Sequence, residues 1–207
     1  VRRALAASAG RPAEEIALRV AASITHLGLV ARLTAPVLAA TASHRHLDMR
    51  LDGLWWQDRL GGPAPLSIPA PRDPGPGQHS NGDPPAGSAC RLLLDDVIAP
   101  VTAATSDLVP VSARVLWGNV ASAVNGAANQ LTVLRPDLGR EAWTAAAAFF
   151  TSPQLSRERQ RPGPAFRRSS CCLIYQLAPD QTHSICGDCI LNATHSRSAP
   201  WSPARAR

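Results

Sequence analysis

Four of the five cysteines of this chain fall between positions 171 and 189, as Cys171, Cys172, Cys186 and Cys189, while the fifth, Cys90, stands far upstream. Thiolate sulfur is a soft anionic donor, so four such groups in one short stretch point to a metal centre. In Cys186-Gly187-Asp188-Cys189 the two-residue gap lets a tight turn aim both sulfurs at one metal, and Gly187 is expected to supply the backbone freedom of that turn. The adjacent pair is the less usual half. In an extended chain neighbouring side chains point to opposite faces, so Cys171 and Cys172 do not both reach one small ion easily. A two-iron cluster is a wider target, and a local turn at the pair would bring both thiolates to it. The spacing therefore favours a [2Fe-2S] cluster held by all four cysteines and used for electron transfer.

Other chemistries remain open on the same residues. A structural zinc on four cysteines satisfies the count, although adjacent cysteines fit the usual C-x2-4-C pairings poorly, and it would make the segment a binding module without redox activity. A thiol-disulfide site needs a CxxC at a helix start in a βαβ setting, which this segment lacks. Structural disulfides need an oxidising compartment, and no export signal supports one. His183, between the two cysteine pairs, is an additional ligand type, but four thiolates already complete a set. Cys90 reads as a bystander at the end of a loop.

A chain of 207 residues with 45% hydrophobic content is long enough to bury a core without disulfides. All 21 basic residues are arginine, a bias that fits GC-rich coding better than selection for guanidinium chemistry. The formal charge of +6 nevertheless has a location: Arg157, Arg159, Arg161, Arg167 and Arg168 face only Glu158 in sequence, and Arg197, Arg205 and Arg207 follow. Such a region attracts anions of many kinds. Aromatic residues are not interleaved with these arginines as base stacking requires, so no nucleic-acid partner is expected. The opening residues do not build a signal peptide, and no uninterrupted apolar run approaches the length of a membrane span, so no transmembrane segment and a cytoplasmic location are expected.

The elements that must position the cysteines are helices. Apolar residues at Ile16, Val20, Ile24 and Leu27 predict a helix over 13–30, and Leu33, Val37 and Leu38 predict a second over 32–44, with Pro36 in its first turn. Three more are predicted over 93–106, 112–134 and 138–150, with short extended pieces near 47–56. Within 112–134, Leu116, Val120, Ala123, Ala127 and Leu131 make an apolar stripe, and Val115, Asn119, Ser122, Gly126 and Gln130 make a second one, either solvated or facing a ligand. The prolines and glycines of 61–88 predict a long loop. Composition changes after Pro153, so residues 1–155 read as a mainly α scaffold and acceptor-binding domain with minor β. Residues 156–207 read as a basic cysteine-rich segment too lean to fold without a metal or docking.

Two stretches resemble the FhuF-type siderophore-iron reductases, in particular their actinobacterial members. One is Phe166-Arg167-Arg168-Ser169-Ser170-Cys171-Cys172-Leu173-Ile174-Tyr175 through Cys186-Gly187-Asp188-Cys189-Ile190-Leu191, similar to the family's paired cysteines, aromatic strand and CGDC turn. The other is Arg114-Val115-Leu116-Trp117-Gly118-Asn119-Val120-Ala121-Ser122-Ala123, similar to its LWGN-A-S helix segment. Weaker echoes lie at Arg32–Leu38 and at Leu54-Trp55-Trp56 with Gly61-Gly62-Pro63. The resemblance implies a ferric-siderophore reductase in which a [2Fe-2S] cluster passes single electrons from an unidentified donor to siderophore-bound ferric iron, releasing it as ferrous iron. The helical part is expected to present Trp117-Gly118-Asn119 near the acceptor or the cysteine segment, with Asn119 exposed; the alternative is that Trp117 is a core residue. One departure stands out: Leu173 to Ile185 separate the cysteine pairs, a longer loop than the family usually has. Catalytic residues other than the ligands are not identified.

Overall fold

A computed structural model of the protein describes residues 1–57, 65–73, 86–157, 159–161, 163–177 and 185–191. His183, most of the Pro/Gly-rich stretch and the chain beyond 191 lie outside them. The architecture is mainly α, as the periodicity predicts, with two small two-stranded sheets. The helices are α1 (Arg2–Ala9), α2 (Leu18–Ala42), α3 (Ala86–Leu92), α4 (Ala99–Leu108), α5 (Ala113–Leu134), α6 (Gly139–Phe150) and α7 (Pro153–Ser156).

The predicted break between two early helices does not exist. Glu14 and Glu15 sit in a separate 3-10 turn, and α2 then runs unbroken through Pro36. A proline inside a helix costs about 3 kcal/mol. Here it is flanked by Leu33, Thr34, Val37 and Leu38, all at most 2% exposed, so the core contact of that stretch outweighs the lost hydrogen bond. The helix stops at Ser43, followed by left-handed His44 (φ 54°), where the Arg45 N–H closes onto the Ala40 carbonyl at 2.8 Å. Among the described residues α2 is the one helix whose length and composition would suffice to cross a bilayer. It packs most extensively against α5 and also against α6, as the central helix of the core.

The predicted helix over 93–106 proves longer and irregular. α3 and α4 are joined without a loop by a π-helical stretch, Leu93–Ile98, in which the Ala99 N–H reaches back to Leu94. Pro100 follows directly, and its missing N–H and bulky ring account for the widening. Leu93, Leu94, Val97 and Ile98 are all buried, which holds the irregular turn in place. By contrast α5 and α6 match their predicted spans within a residue. Ser112 caps α5 by accepting the Arg114 N–H at 3.2 Å.

Strands β1 (Trp55–Trp56) and β2 (Leu66–Ser67) form one antiparallel pair, leaving Trp55 and Trp56 largely exposed. Strands β3 (Arg159–Arg161) and β4 (Arg167–Arg168) form the other, with Arg159 opposite Arg168 and Arg161 opposite Arg167. Just before β4, Phe166 is buried and stacks on Phe150 of α6, with ring centroids 6.0 Å apart. That ring and Arg168 fasten the lean C-terminal segment to the helices, so its described part is docked against the scaffold.

Candidate metal centre

The four clustered cysteines come together. The Cys171 and Cys189 sulfurs are 3.9 Å apart, and those of Cys172 and Cys186 are 3.4 Å apart. None of the cysteines is in a disulfide. Two thiolates on one tetrahedral ion, with bonds of about 2.3 Å, lie about 3.8 Å apart, so each pair has the separation of two ligands sharing a metal. Among the described residues no group of three or more His, Cys, Asp or Glu side chains is arranged to hold a single ion. Each pair joins one buried sulfur-bearing residue, Cys189 or Cys172, to one half-exposed residue, Cys171 or Cys186.

Backbone turns produce this arrangement. Leu173 adopts a left-handed conformation (φ 70°), which is strained for a leucine, and its N–H donates to the Cys171 sulfur at 3.3 Å. That is the local turn the adjacent pair requires. The residues after it form a 3-10 helix, Ile174–Leu177, where the resemblance implied a strand. On the other side the Cys189 N–H closes a turn onto the Cys186 carbonyl at 3.0 Å, and the Leu191 N–H donates to the Cys189 sulfur at 3.4 Å. Gly187 has neither a positive φ nor any atom that an added Cβ would meet, so the turn does not depend on glycine freedom as expected.

Electrostatics divide the thiols. Hydrogen bonds from Cys171 and Cys186, then the Ile174 N–H and the Arg168 charge, hold the Cys172 thiol well below its ordinary range against the opposing effect of burial. Cys171 and Cys186 are pushed up, chiefly by that bonding to Cys172 and by burial. Four sulfurs this close do not all ionise without a cation among them, whereas a metal stabilises all of them as thiolates. Cys90 is the opposite case. It lies within α3, not in a loop, at 1% exposure, and burial pushes its thiol up to about 12. Its thiol donates to the Ala145 carbonyl, at 3.9 Å.

The second stripe of α5 is where the cysteine segment docks. Ser122 donates a short hydrogen bond to the Asp188 carboxylate, and the Arg168 N–H binds the Asp188 carbonyl at 3.1 Å. Asn119 is fully buried, against the expectation that it is exposed. Its amide donates to the Ser23 carbonyl at 2.9 Å, and its oxygen accepts from Arg168 Nη2 at 2.7 Å. Ser23 in turn donates to the Cys172 carbonyl at 2.8 Å. Gly118 is required here, because a Cβ would collide with Ser170 Oγ. Gly126 and Gln130, further along the stripe, are exposed. Sequence reasoning offers Arg168, with Arg167, only as a partial offset to the charge of a thiolate cluster, and it misses Ser23; as partners of Asn119 they lie 49 and 96 residues away, beyond any local pattern.

Arg168 also tests whether the donor set suits an anionic metal cluster. It is a fully buried guanidinium whose Nε and Nη1 have no hydrogen-bond partner, and no carboxylate pairs with it among the described residues. A buried unpaired cation is costly unless a negative charge lies nearby. Four metal-bound thiolates would supply one. The residues therefore fit a thiolate-held cluster.

A mainly helical scaffold with a four-thiol segment fastened to α5 at Asn119 and Ser122 defines the class. The chain belongs to the FhuF family: the family model described as ferric iron reductase FhuF-like transporter matches residues 29–169, and the FhuF 2Fe-2S C-terminal domain matches residues 168–189. Comparisons with curated proteins and with solved structures give no match.

Proposed function

We propose that the protein is a ferric-siderophore reductase of the cytoplasm, in which Cys171, Cys172, Cys186 and Cys189 hold a [2Fe-2S] cluster and residues 1–155 form the scaffold. The observation that carries this reading is that the four thiols converge, with sulfurs 3.9 Å apart at Cys171–Cys189 and 3.4 Å at Cys172–Cys186, while among the described residues no three side chains are arranged to hold a single ion. Four thiols that do not close on a single ion suit two irons; one zinc would need all four sulfurs at mutual separations of about 3.8 Å. When bound, such a cluster accepts and passes one electron at a time. Around it, the chain's own groups have definite tasks. The Leu173 and Leu191 N–H groups stabilise negative charge on Cys171 and Cys189. The half-exposed Cys171 and Cys186 leave one sulfur of each pair near the surface, where a bulky iron chelate can approach. The substrate Fe(III) is held by hard oxygen donors; one electron converts it to Fe(II), which those donors hold less tightly, so reduction is release. That electron comes from a separate one-electron donor.

Anaerobic purification tests the reading directly. The expected product is coloured, bleaches on reduction, contains about two iron and two sulfide per chain, and releases Fe(II) from ferric siderophore to a ferrous chelator. A colourless protein with about one zinc per chain and no Fe(II) release would replace it with the zinc-module reading.

A further inference from the structure

Arginine carries five N–H donors and a charge that does not titrate away, so a buried arginine shows what its surroundings must provide. Around Arg168 they provide half of it. Nη2 is held by the Asn119 oxygen at 2.7 Å and the Val115 carbonyl at 3.4 Å, both neutral, while Nε and Nη1 have no partner. Its own backbone N–H donates to the Asp188 carbonyl in the cysteine turn, and the neighbouring Arg167 side chain donates from Nη1 to the Cys189 carbonyl at 3.1 Å. A further chain of contacts leads to the other cysteine pair: Asn119 to Ser23, and Ser23 to the Cys172 carbonyl. Asn119 cannot turn its amide round without losing both ends, since its NH2 is committed to Ser23 and its oxygen to Arg168. Gly118 keeps the space in which this happens, with Ser170 Oγ and Arg168 Nη2 both close to where a Cβ would lie.

We propose that Arg168 is the internal counter-ion of the thiolate centre formed by Cys171, Cys172, Cys186 and Cys189, held in that position by Asn119 and Ser23, and that it raises the reduction potential of the centre. The inference rests on the iron–sulfur reading above. Reduction adds one negative charge to an already anionic group; a fixed cation stabilises the reduced form more than the oxidised one. Low dielectric around a fully buried guanidinium makes that difference large. A plain structural latch has no need of a charge, because Met or Leu would fill the same volume without leaving two donors unpaired. Arg168 is thus a positioning and electrostatic residue of the centre, and the Gly118-Asn119 motif serves the centre through it.

The test is a reductive titration of cluster-loaded protein, followed in the visible spectrum, with thermal unfolding of loaded and metal-free forms alongside. Arg168→Met is expected to shift the reduction equilibrium at least tenfold toward the oxidised form, about 59 mV for a one-electron couple. Arg168→Lys, which keeps the charge, should shift it less. Asn119→Asp, which sets a carboxylate beside the guanidinium, should lower the potential with Arg168 still present, and decides the matter if Arg168→Met does not fold. Arg140→Met, at a remote exposed ion pair, should leave it unchanged. Arg168→Met should also narrow the gap in melting temperature between loaded and metal-free protein. Unchanged potentials in the loaded Arg168→Met and Asn119→Asp variants, with equal destabilisation of both forms, would make Arg168 a latch and overturn the proposal. Failure of the wild-type chain to take up iron and sulfide at all would instead overturn the iron–sulfur reading.

Discussion

Cys90 and Cys172 are both buried to 1% exposure, yet they are chemically opposite. Cys90 sits among Leu93, Leu94 and the alanines of α6, where burial outweighs a single backbone N–H and pushes its thiol up to about 12. Cys172 is surrounded by sulfur, a backbone N–H and the Arg168 charge, and these outweigh the same burial and hold its thiol low. Burial by itself makes a cysteine inert; oriented donors and a fixed cation favour its thiolate. The helical core and the docked segment obey the same physics with different groups supplied, and each prediction below breaks or sharpens that contrast.

The largest expected effect is on the chromophore. Serine at Cys171, Cys172, Cys186 or Cys189 should abolish or strongly alter the visible spectrum, and Cys90→Ser should leave it intact. Loss of colour from Cys90→Ser, with one of the four retaining it unchanged, would dissolve the contrast altogether.

Next comes the seam between the two regions. Asn119→Ala leaves the buried Arg168 guanidinium with the Val115 carbonyl alone, so it should cost about 3 kcal/mol of stability, measured by urea unfolding. An exposed Asn119 would have cost little. Gly118→Ala should cost about 2 kcal/mol, because the new Cβ displaces Ser170 Oγ from the Arg114 carbonyl, to which it donates at 3.0 Å. The double variant with Ser170→Ala should recover part of that loss; no recovery would place the clash elsewhere. Hydrogen exchange on metal-free protein should lose protection beyond about residue 155 more than over 112–134, since the segment's described docking rests on Phe166, Arg168 and a few polar contacts.

These contacts also mark how far the sequence could be read. The convergence of the four cysteines and the spans of α5 and α6 were legible because they are local: a spacing and a period. The continuity of α2 was not, since Pro36 argues for a boundary and only the burial of Leu33, Val37 and Leu38 against other helices overrides it. The π-helical stretch before Pro100 escaped for the same reason. The stripe through Asn119 and Ser122 was visible on the helix, but its occupant was not. Arg168 lay in a run of arginines that composition explains, and nothing local separates the one that is buried from the others. Gly187 failed in the other direction, a plausible local argument for a turn that any residue can make.

The smallest effect tests the core alone. His26 of α2 is 1% exposed, and its Nε2 lies 3.1 Å from Thr102 Oγ1 on α4. The Thr102 hydroxyl donates to the Ile98 carbonyl at 2.7 Å, so its oxygen accepts and His26 must donate from Nε2, leaving Nδ1 as a buried lone pair without a partner. Protonating that nitrogen would bury an unpaired charge, and burial accordingly lowers the pKa from 6.5 to about 4. The sign follows from which state takes up the proton. Below about pH 6.5 the unfolded chain binds it and the folded chain does not, so stability is full above that value and falls as pH drops toward 4. Between pH 7 and 5.5 the loss should be about 1 kcal/mol. Urea unfolding of metal-free protein at the two pH values measures it, and His26→Gln, which keeps a donor for Thr102 but does not titrate, should remove that pH-dependent loss whatever its own stability. If the variant loses as much as the wild type, the pH sensitivity belongs to other groups, and the helical core is not the chemically silent region that the comparison with the cysteine segment makes it.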